Sequence, residues 1–205
     1  MIETLGQVGR QEAMEVIGQA FSDHPHMPVD PSGRRSQFMV STLLNTFSAA
    51  PDAELFGAFR DGRLDCAAFV FDASYQPRRF TLMLFLFRMV RVLGWRMSRA
   101  FAQVLSEKPD REERQLELML IGTRADCQQQ GLGRAMIQHI LTFAHDKGYQ
   151  PVVLEVAKET PAFSFYLREG FLADKEVTLP VTPLCFLRRP LSERNTTTDA
   201  IESTG

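Results

Sequence analysis

Leu116-Glu117-Leu118-Met119-Leu120-Ile121-Gly122-Thr123, followed by Arg124-Ala125-Asp126-Cys127-Gln128-Gln129-Gln130-Gly131-Leu132-Gly133-Arg134, is the stretch on which the reading of this chain turns. Leu116 to Thr123 is nearly continuous in apolar residues apart from Glu117, which suits a strand covered on both faces. A polar loop with two glycines comes next. After it Met136, Ile137, Ile140, Leu141, Phe143 and Ala144 recur at helical spacing, and Lys147-Gly148 closes that helix with a cation and a C′ glycine. A strand that empties through glycines into a helix N-terminus is an anion site. The first helical N–H groups lack partners inside the helix, and the dipole places partial positive charge there. Gly131 and Gly133 carry no Cβ, so their backbone can approach a phosphate closely. A pyrophosphate-bearing cofactor is expected at this loop.

Two patterns compete for the loop. A dinucleotide fold asks for Gly-x-Gly-x-x-Gly after a strand, with an acidic residue about 20 positions on. Glu155 stands at a suitable distance, but Met136 occupies the place of the third glycine. The other pattern is Gln/Arg-x-x-Gly-x-Gly/Ala, which Gln128, Gly131 and Gly133 match position for position. Farther on, Phe165-Tyr166-Leu167-Arg168-Glu169-Gly170-Phe171 holds a tyrosine followed by a Gly-Phe pair. On these residues the chain resembles the GCN5-related N-acetyltransferases (GNAT), specifically from about Leu116 to Phe171 and only generally before it. The Leu118–Thr123 stretch and the helical segment ahead of it look like a microbial small-molecule branch of that family.

The remaining chain fits an α/β reading with a mixed sheet. Gln11 to Phe21 and about Arg34 to Phe47 read as amphipathic helices, the second burying Phe38, Met39, Leu43 and Phe47. Pro25, Pro28 and the Asp30-Pro31-Ser32-Gly33 turn separate them. Glu54 to Phe59 and Leu64 to Phe71 flank Arg60-Asp61-Gly62-Arg63, a hairpin signal, since a type I′ turn needs positive φ at both central residues. The pair is expected as the second and third strands of the sheet. Thr81 to Leu105 reads as a long helix broken near Gly94, and its Phe80 to Trp95 part as buried or half-buried. Arg88, Arg91, Arg96 and Arg99 are read as a solvated face whose stems cover apolar neighbours. Residues 108–114 form a charged linker. Val152 to Val156 is a parallel partner for the Leu116 strand through a right-handed crossover. Pro161 to Arg168 is a short helix with proline in its first turn, and about Ala173 to Leu179 and Pro183 to Arg189 form a final antiparallel pair. This order resembles the GNAT acyl-CoA N-acyltransferase fold with a helical insertion before the central strand. A single domain is expected over 1–190, with a polar, disordered tail over 191–205.

Composition narrows the function class. The chain has 205 residues, net charge −2, 44% hydrophobic and 23% charged residues, ordinary values for a globular domain. No global attraction to nucleic acid follows from that charge. Cys66, Cys127 and Cys185 are odd in number and widely spaced, forming no metal or disulfide pattern. The start, Met1-Ile2-Glu3-Thr4, is polar, so no secretory signal is expected. Phe80 to Trp95 is too short to span a bilayer, which takes about 20 apolar residues. A cytoplasmic protein with neither nucleic-acid nor membrane partner, monomeric or homodimeric, is expected. His139 and His145 are read as exposed helix positions, with no metal site.

The resemblance implies direct transfer of an acetyl group from acetyl-CoA to a primary amine of a small molecule in a ternary complex. It implies that Ile121, Gly122 and Thr123 offer backbone groups to pantetheine and the thioester carbonyl. Gln128, Gln129, Gln130, Gly131, Leu132, Gly133 and Arg134 would wrap the pyrophosphate, Arg134 adding charge or facing solvent. Tyr166 is implied as the acid that protonates the departing thiolate, and as a cofactor contact. A protonated amine also needs a base. Glu117 is the candidate, either as the base or as a strand carboxylate paired with Arg114 or another cation; Glu155 ranks second. Asp23, His24 and His26 fall where the family lines the acceptor side, and are read as a solvated loop. Glu159-Thr160 stands where the family often has asparagine, a departure that bears on one cofactor side-chain contact and not on the fold. The alternatives are a non-catalytic acyl-CoA sensor of the same fold or a peptide N-acetyltransferase.

Overall fold

The computed structural model describes residues 1–22, 32–109, 114–179 and 182–191. Asp23, His24, His26 and the tail from residue 192 lie outside these described residues.

Seven strands form one mixed sheet. In chain order the elements are β1 (Ile2–Thr4), α1 (Gln7–Phe21), α2 (Arg34–Phe47), β2 (Glu54–Arg60), β3 (Arg63–Asp72), α3 (Arg79–Ser106), β4 (Leu116–Thr123), α4 (Leu132–Asp146), β5 (Val152–Ala157), α5 (Pro161–Arg168), β6 (Leu172–Val177) and β7 (Leu184–Arg189). Across the sheet the order is β1-β2-β3-β4-β5-β7-β6. The β2–β3 turn has Asp61 at φ 50° and Gly62 at φ 77°, the two positive values a type I′ turn needs. The expected hairpin is therefore present and pairs as the second and third strands.

β4 and β5 run parallel, but only Leu116↔Val152 and Glu117↔Val153 are paired. Beyond Glu117, β4 continues along β3 while β5 continues along β7. The sheet is thus split down its middle into a four-strand and a three-strand half, joined at the start of β4 and diverging toward Thr123.

β4 also carries a bulge. Phe69 faces Leu120 and Val70 faces Leu118, leaving Met119 as an extra residue. Successive even-spaced residues of a regular strand share a face. Here Leu118 joins the core under α4 and α5, whereas Leu120 joins the core under α1 and α2. One inserted residue thereby gives β4 an apolar contact on each side, as the near-continuous apolar run suggested. Met136, Ile137, Ile140 and Tyr149 fill the first core; Ile17, Val40, Leu44, Phe71 and Phe85 fill the second.

Several side chains depart from expectation. Phe38 is exposed rather than buried, because Met39, Val40, Leu43 and Leu44 already supply the apolar face of α2. α3 breaks at Gly94 (φ 76°, ψ 167°) as its glycine suggested. It buries Phe85 and Met89, but Phe80, Met83, Phe87 and Trp95 stand in solvent, so the helix is covered on one side only. His139 is half-buried edge-on against Phe56, 4.7 Å between ring centroids, and burial lowers its pKa. No helix among the described residues is long and apolar enough to cross a membrane.

Candidate functional site

The glycine loop stands at the open end of the split. After β4, a single turn of tight helix (Ala125–Cys127) leads to Gln128, then to Gln129 at φ 60° and Gly131 at φ 83°. Gly131 is the residue before the first turn of α4, and a left-handed backbone there strains any residue with a Cβ. Space around it is open: a Cβ on Gly131 would meet nothing within 4 Å. The first hydrogen bond closing α4 is Ala135 N–H to the Gly131 carbonyl, 2.9 Å. The N–H groups from Gln129 to Arg134 donate no hydrogen bond among the described residues. A run of six unpartnered amides at a helix N-terminus, with a turn that leaves room, is a fitting cradle for an anion. A diphosphate matches that donor set; the residues present fit it.

Side chains brace this loop from beneath rather than filling it. Gln130 Nε2 donates to the Asp126 carbonyl (3.0 Å), and Arg60 Nη1 donates to Gln130 Oε1 (2.6 Å). Arg63 donates to Asp126 (3.0 Å) and to the Cys127 sulfur (3.0 Å). Both arginines converge on Asp65, which is almost fully buried. Burial pushes the Asp65 carboxyl up, but the hydrogen bonds from Arg60 and Arg63 and from Cys127 outweigh it, holding it below the ordinary carboxylate range. The sequence marked Arg60-Asp61-Gly62-Arg63 only as a turn. Its second service, clamping the loop, depends on β3 pairing with β4, which no local pattern reveals. Gln128 donates weakly to the Thr123 carbonyl (3.5 Å), and Arg134 Nε donates to the buried Glu169 (2.8 Å). Arg134 therefore ties α4 to the end of α5, its side chain remaining largely exposed.

Ile121, Gly122 and Thr123 pair with Ala68, Ala67 and Cys66 of β3 and border the split on their other edge. Gly122 has a reason of its own. A Cβ there would come within 2.7 Å of the Ile17 backbone and 3.1 Å of the Val16 carbonyl, so glycine lets α1 lie directly on β4. Thr123 Oγ1 donates to the Cys66 sulfur at 3.3 Å.

Tyr166 comes from α5, whose start is set by Thr160: its hydroxyl accepts from Phe163 N–H (3.4 Å), with Pro161 in the first turn. Its ring lies between Phe165 and Phe171, centroids 5.3 and 5.5 Å away. The side chain is 94% buried, its residue being 6% exposed. Its hydroxyl makes no hydrogen bond among the described residues and is not a fully enclosed atom. Burial raises its pKa, and the nearby Cys66 thiol adds to the effect. Tyr166 and Cys66 thus belong to the same core, and Cys66 in turn pairs with Thr123 of β4. The Cys66 thiol is itself pushed up to about 11 by burial.

Glu117 and Glu155 meet at the other end of the split. Lys108 Nζ lies 2.7 Å from Glu117 Oε1 and 2.9 Å from Glu155 Oε1, so one ammonium spans both strands. Burial works against that charge, but the two carboxylates outweigh it and raise the Lys108 pKa strongly. The cation expected beside Glu117 is Lys108, not Arg114. Arg114 instead stacks on the Tyr149 ring (4.2 Å) and donates to Asp52 (2.8 Å). Gln115, Val153, Asp174 and Arg188 complete a small cleft around the pair. Lys108 was legible only as part of a charged linker, since the sequence does not show which strand carboxylates a linker lysine will meet. Among the described residues, no three His, Cys, Asp or Glu side chains are grouped to hold a metal.

The comparisons with known proteins agree with this geometry. The acetyltransferase (GNAT) family model matches residues 32–171. No curated protein matches. Among solved structures, one from Corynebacterium glutamicum, described as histone acetyltransferase HPA2 and related acetyltransferase, is 17% identical, covering 95% of this chain and 98% of its own, with TM-score 0.68. The Drosophila melanogaster polyamine N-acetyltransferase is 12% identical over 93% of this chain and 99% of its own, TM-score 0.63. The Escherichia coli ribosomal-protein-S18-alanine N-acetyltransferase is 16% identical over 97% of each chain, TM-score 0.57. At these identities the likeness concerns the fold.

Proposed function

We propose a reaction for this chain from one premise: it belongs to the acetyltransferase (GNAT) family. Its reaction in our reading is transfer of an acetyl group from acetyl-CoA to the primary amine of a small molecule. The observation that carries the donor half is the run of unpartnered amides from Gln129 to Arg134, which suits the coenzyme's diphosphate. Acetyl-CoA supplies an activated acyl group whose thiolate leaves.

The chain's own residues do the rest. The diverging edges of β4 and β5 give the thioester arm a path from the loop toward Glu117. Backbone groups of Ile121 to Thr123 border that path. The amine nitrogen attacks the thioester carbonyl carbon, a C–N bond forms and the C–S bond breaks. Tyr166 gives its proton to the departing sulfur and regains one from solvent. A phenol with a raised pKa holds its proton until negative charge develops beside it. The amine's proton passes through water to the Glu117–Glu155 pair, which shares Lys108. Neighbouring folds named for polyamine and agmatine acetylation favour a small basic amine as acceptor.

Calorimetry with acetyl-CoA tests the donor half. Binding at tens of micromolar or tighter is expected, and Gly131→Glu should abolish it, since a carboxylate would stand where the diphosphate belongs. Wild-type protein that takes up no acetyl-CoA would overturn the reading. Binding without turnover across a broad amine and peptide panel would replace the enzyme with an acyl-CoA sensor.

A further inference from the structure

We propose that α3 docks this protein onto an anionic membrane surface, lying in the interface without crossing it.

Residues 78–106 hold six of the chain's 23 basic residues, all arginine, and none of its 25 acidic ones. A chain of net charge −2 is therefore a segment of +6 on a remainder of −8. The helix is apolar on both sides. Phe85 and Met89 face the core, with Leu82 and Leu86 beside them. On the opposite side Phe80 is 71% exposed, Met83 62% and Phe87 61%, and just past the break at Gly94 Trp95 is 72% exposed. Phe80, Leu84, Phe87 and Arg91 follow one another at spacings of four, three and four residues, one continuous stripe along the outer face. Arg79 and Arg88 fall on its flanks.

Arg78, Arg79, Arg88, Arg91 and Arg99 form no ion pair among the described residues. Arg60, Arg63, Arg114 and Arg134, by contrast, each meet a carboxylate. An exposed row of Phe, Met, Leu and Trp bordered by unpaired arginines matches a helix that sinks its apolar face to the headgroup boundary while its guanidinium groups reach lipid phosphates. The helix cannot span, since no described helix is long and apolar enough. Charge selects the occupant: two copies of α3 face to face would gather twelve arginines with no acid between them, whereas an anionic bilayer neutralises them. The expectation of no membrane partner, drawn from the absence of a spanning segment, did not address a surface-lying helix.

Trp95 is the chain's only tryptophan, so its fluorescence reports on α3 alone. The full-length protein is titrated with vesicles of phosphatidylcholine and of phosphatidylcholine with one-third phosphatidylglycerol. The expected result is co-sedimentation with the anionic vesicles only, a blue shift of Trp95 emission, and quenching by bromine-labelled acyl chains. Each arginine removed should weaken binding roughly fivefold, so Arg88→Gln with Arg91→Gln should lose about 25-fold, and Arg→Lys at both should keep most of it. Phe80→Ser with Phe87→Ser should abolish the shift while leaving the unfolding midpoint intact, since both side chains stand outside the core. No shift and no sedimentation with anionic vesicles would overturn the proposal. So would a shift that grows with protein concentration without lipid, alongside a doubled mass in sedimentation velocity, which would make a second copy the occupant.

Discussion

Replacing Lys108 with methionine should cost about 3 kcal/mol at pH 8. The variant keeps an apolar stem of similar length but loses the ammonium 2.7 Å from Glu117 and 2.9 Å from Glu155. Removing one partner of a buried ion pair costs roughly 3–5 kcal/mol. The Glu155 side chain is 24% exposed, so solvent recovers part of that, and the lower end applies. For a chain of this size, about 1 kcal/mol shifts the midpoint by roughly 2–4 °C, so a fall of roughly 6–12 °C is expected at pH 8. Thermal unfolding followed by circular dichroism at pH 8 measures this directly. A midpoint loss under about 2 °C would refute the view that one charge holds the two strands' carboxylates.

Other outcomes follow from the same geometry. Tyr166→Phe removes a hydroxyl with no hydrogen-bond partner among the described residues, so the unfolding midpoint should barely move while acetyl transfer falls by roughly 10²-fold or more; an unchanged rate in a spectrophotometric thiol-release assay would remove Tyr166 from the acid role. Gly122→Ala puts a Cβ 2.7 Å from the Ile17 backbone and should destabilise by roughly 1–3 kcal/mol, seen as a lowered denaturation midpoint in urea. Asp52, Asp65 and Asp72 are all held below the ordinary carboxylate pKa, so they stabilise the fold above about pH 4 and their contribution is lost as pH falls through their folded values. Asp65→Asn should remove its share and make the acid limb of the unfolding curve shallower below about pH 4.

The strand–loop–helix unit was legible because local chemistry dictates it: an apolar run, glycines, then helical periodicity. So were the Asp61-Gly62 hairpin, the Gly94 break and Pro161 in the first turn of its helix, each fixed by backbone preferences of one or two residues. What stayed hidden depends on who meets whom across the sheet. β1 is three residues at an edge, too short to show alternation, and β7 lies between β5 and β6 against chain order. The Met119 bulge leaves no mark in a run that is apolar throughout. At the site, the glycine loop could be read, and Glu117 stood out as a carboxylate in a strand. Lys108, Arg60 and Arg63 could not be placed, because Glu155, Gln130 and Cys127, which they meet, lie on elements distant in sequence.

The two-rung junction between the halves of the sheet has a mechanical meaning. A ladder that stops after Glu117↔Val153 behaves like the tip of a crack, where any force prying the halves apart is concentrated. Lys108 sits at that tip as a rivet, one head on each side, gripping Glu117 of β4 and Glu155 of β5. Without the rivet, as in Lys108→Met, the two backbone rungs would be left to hold the tip of the crack.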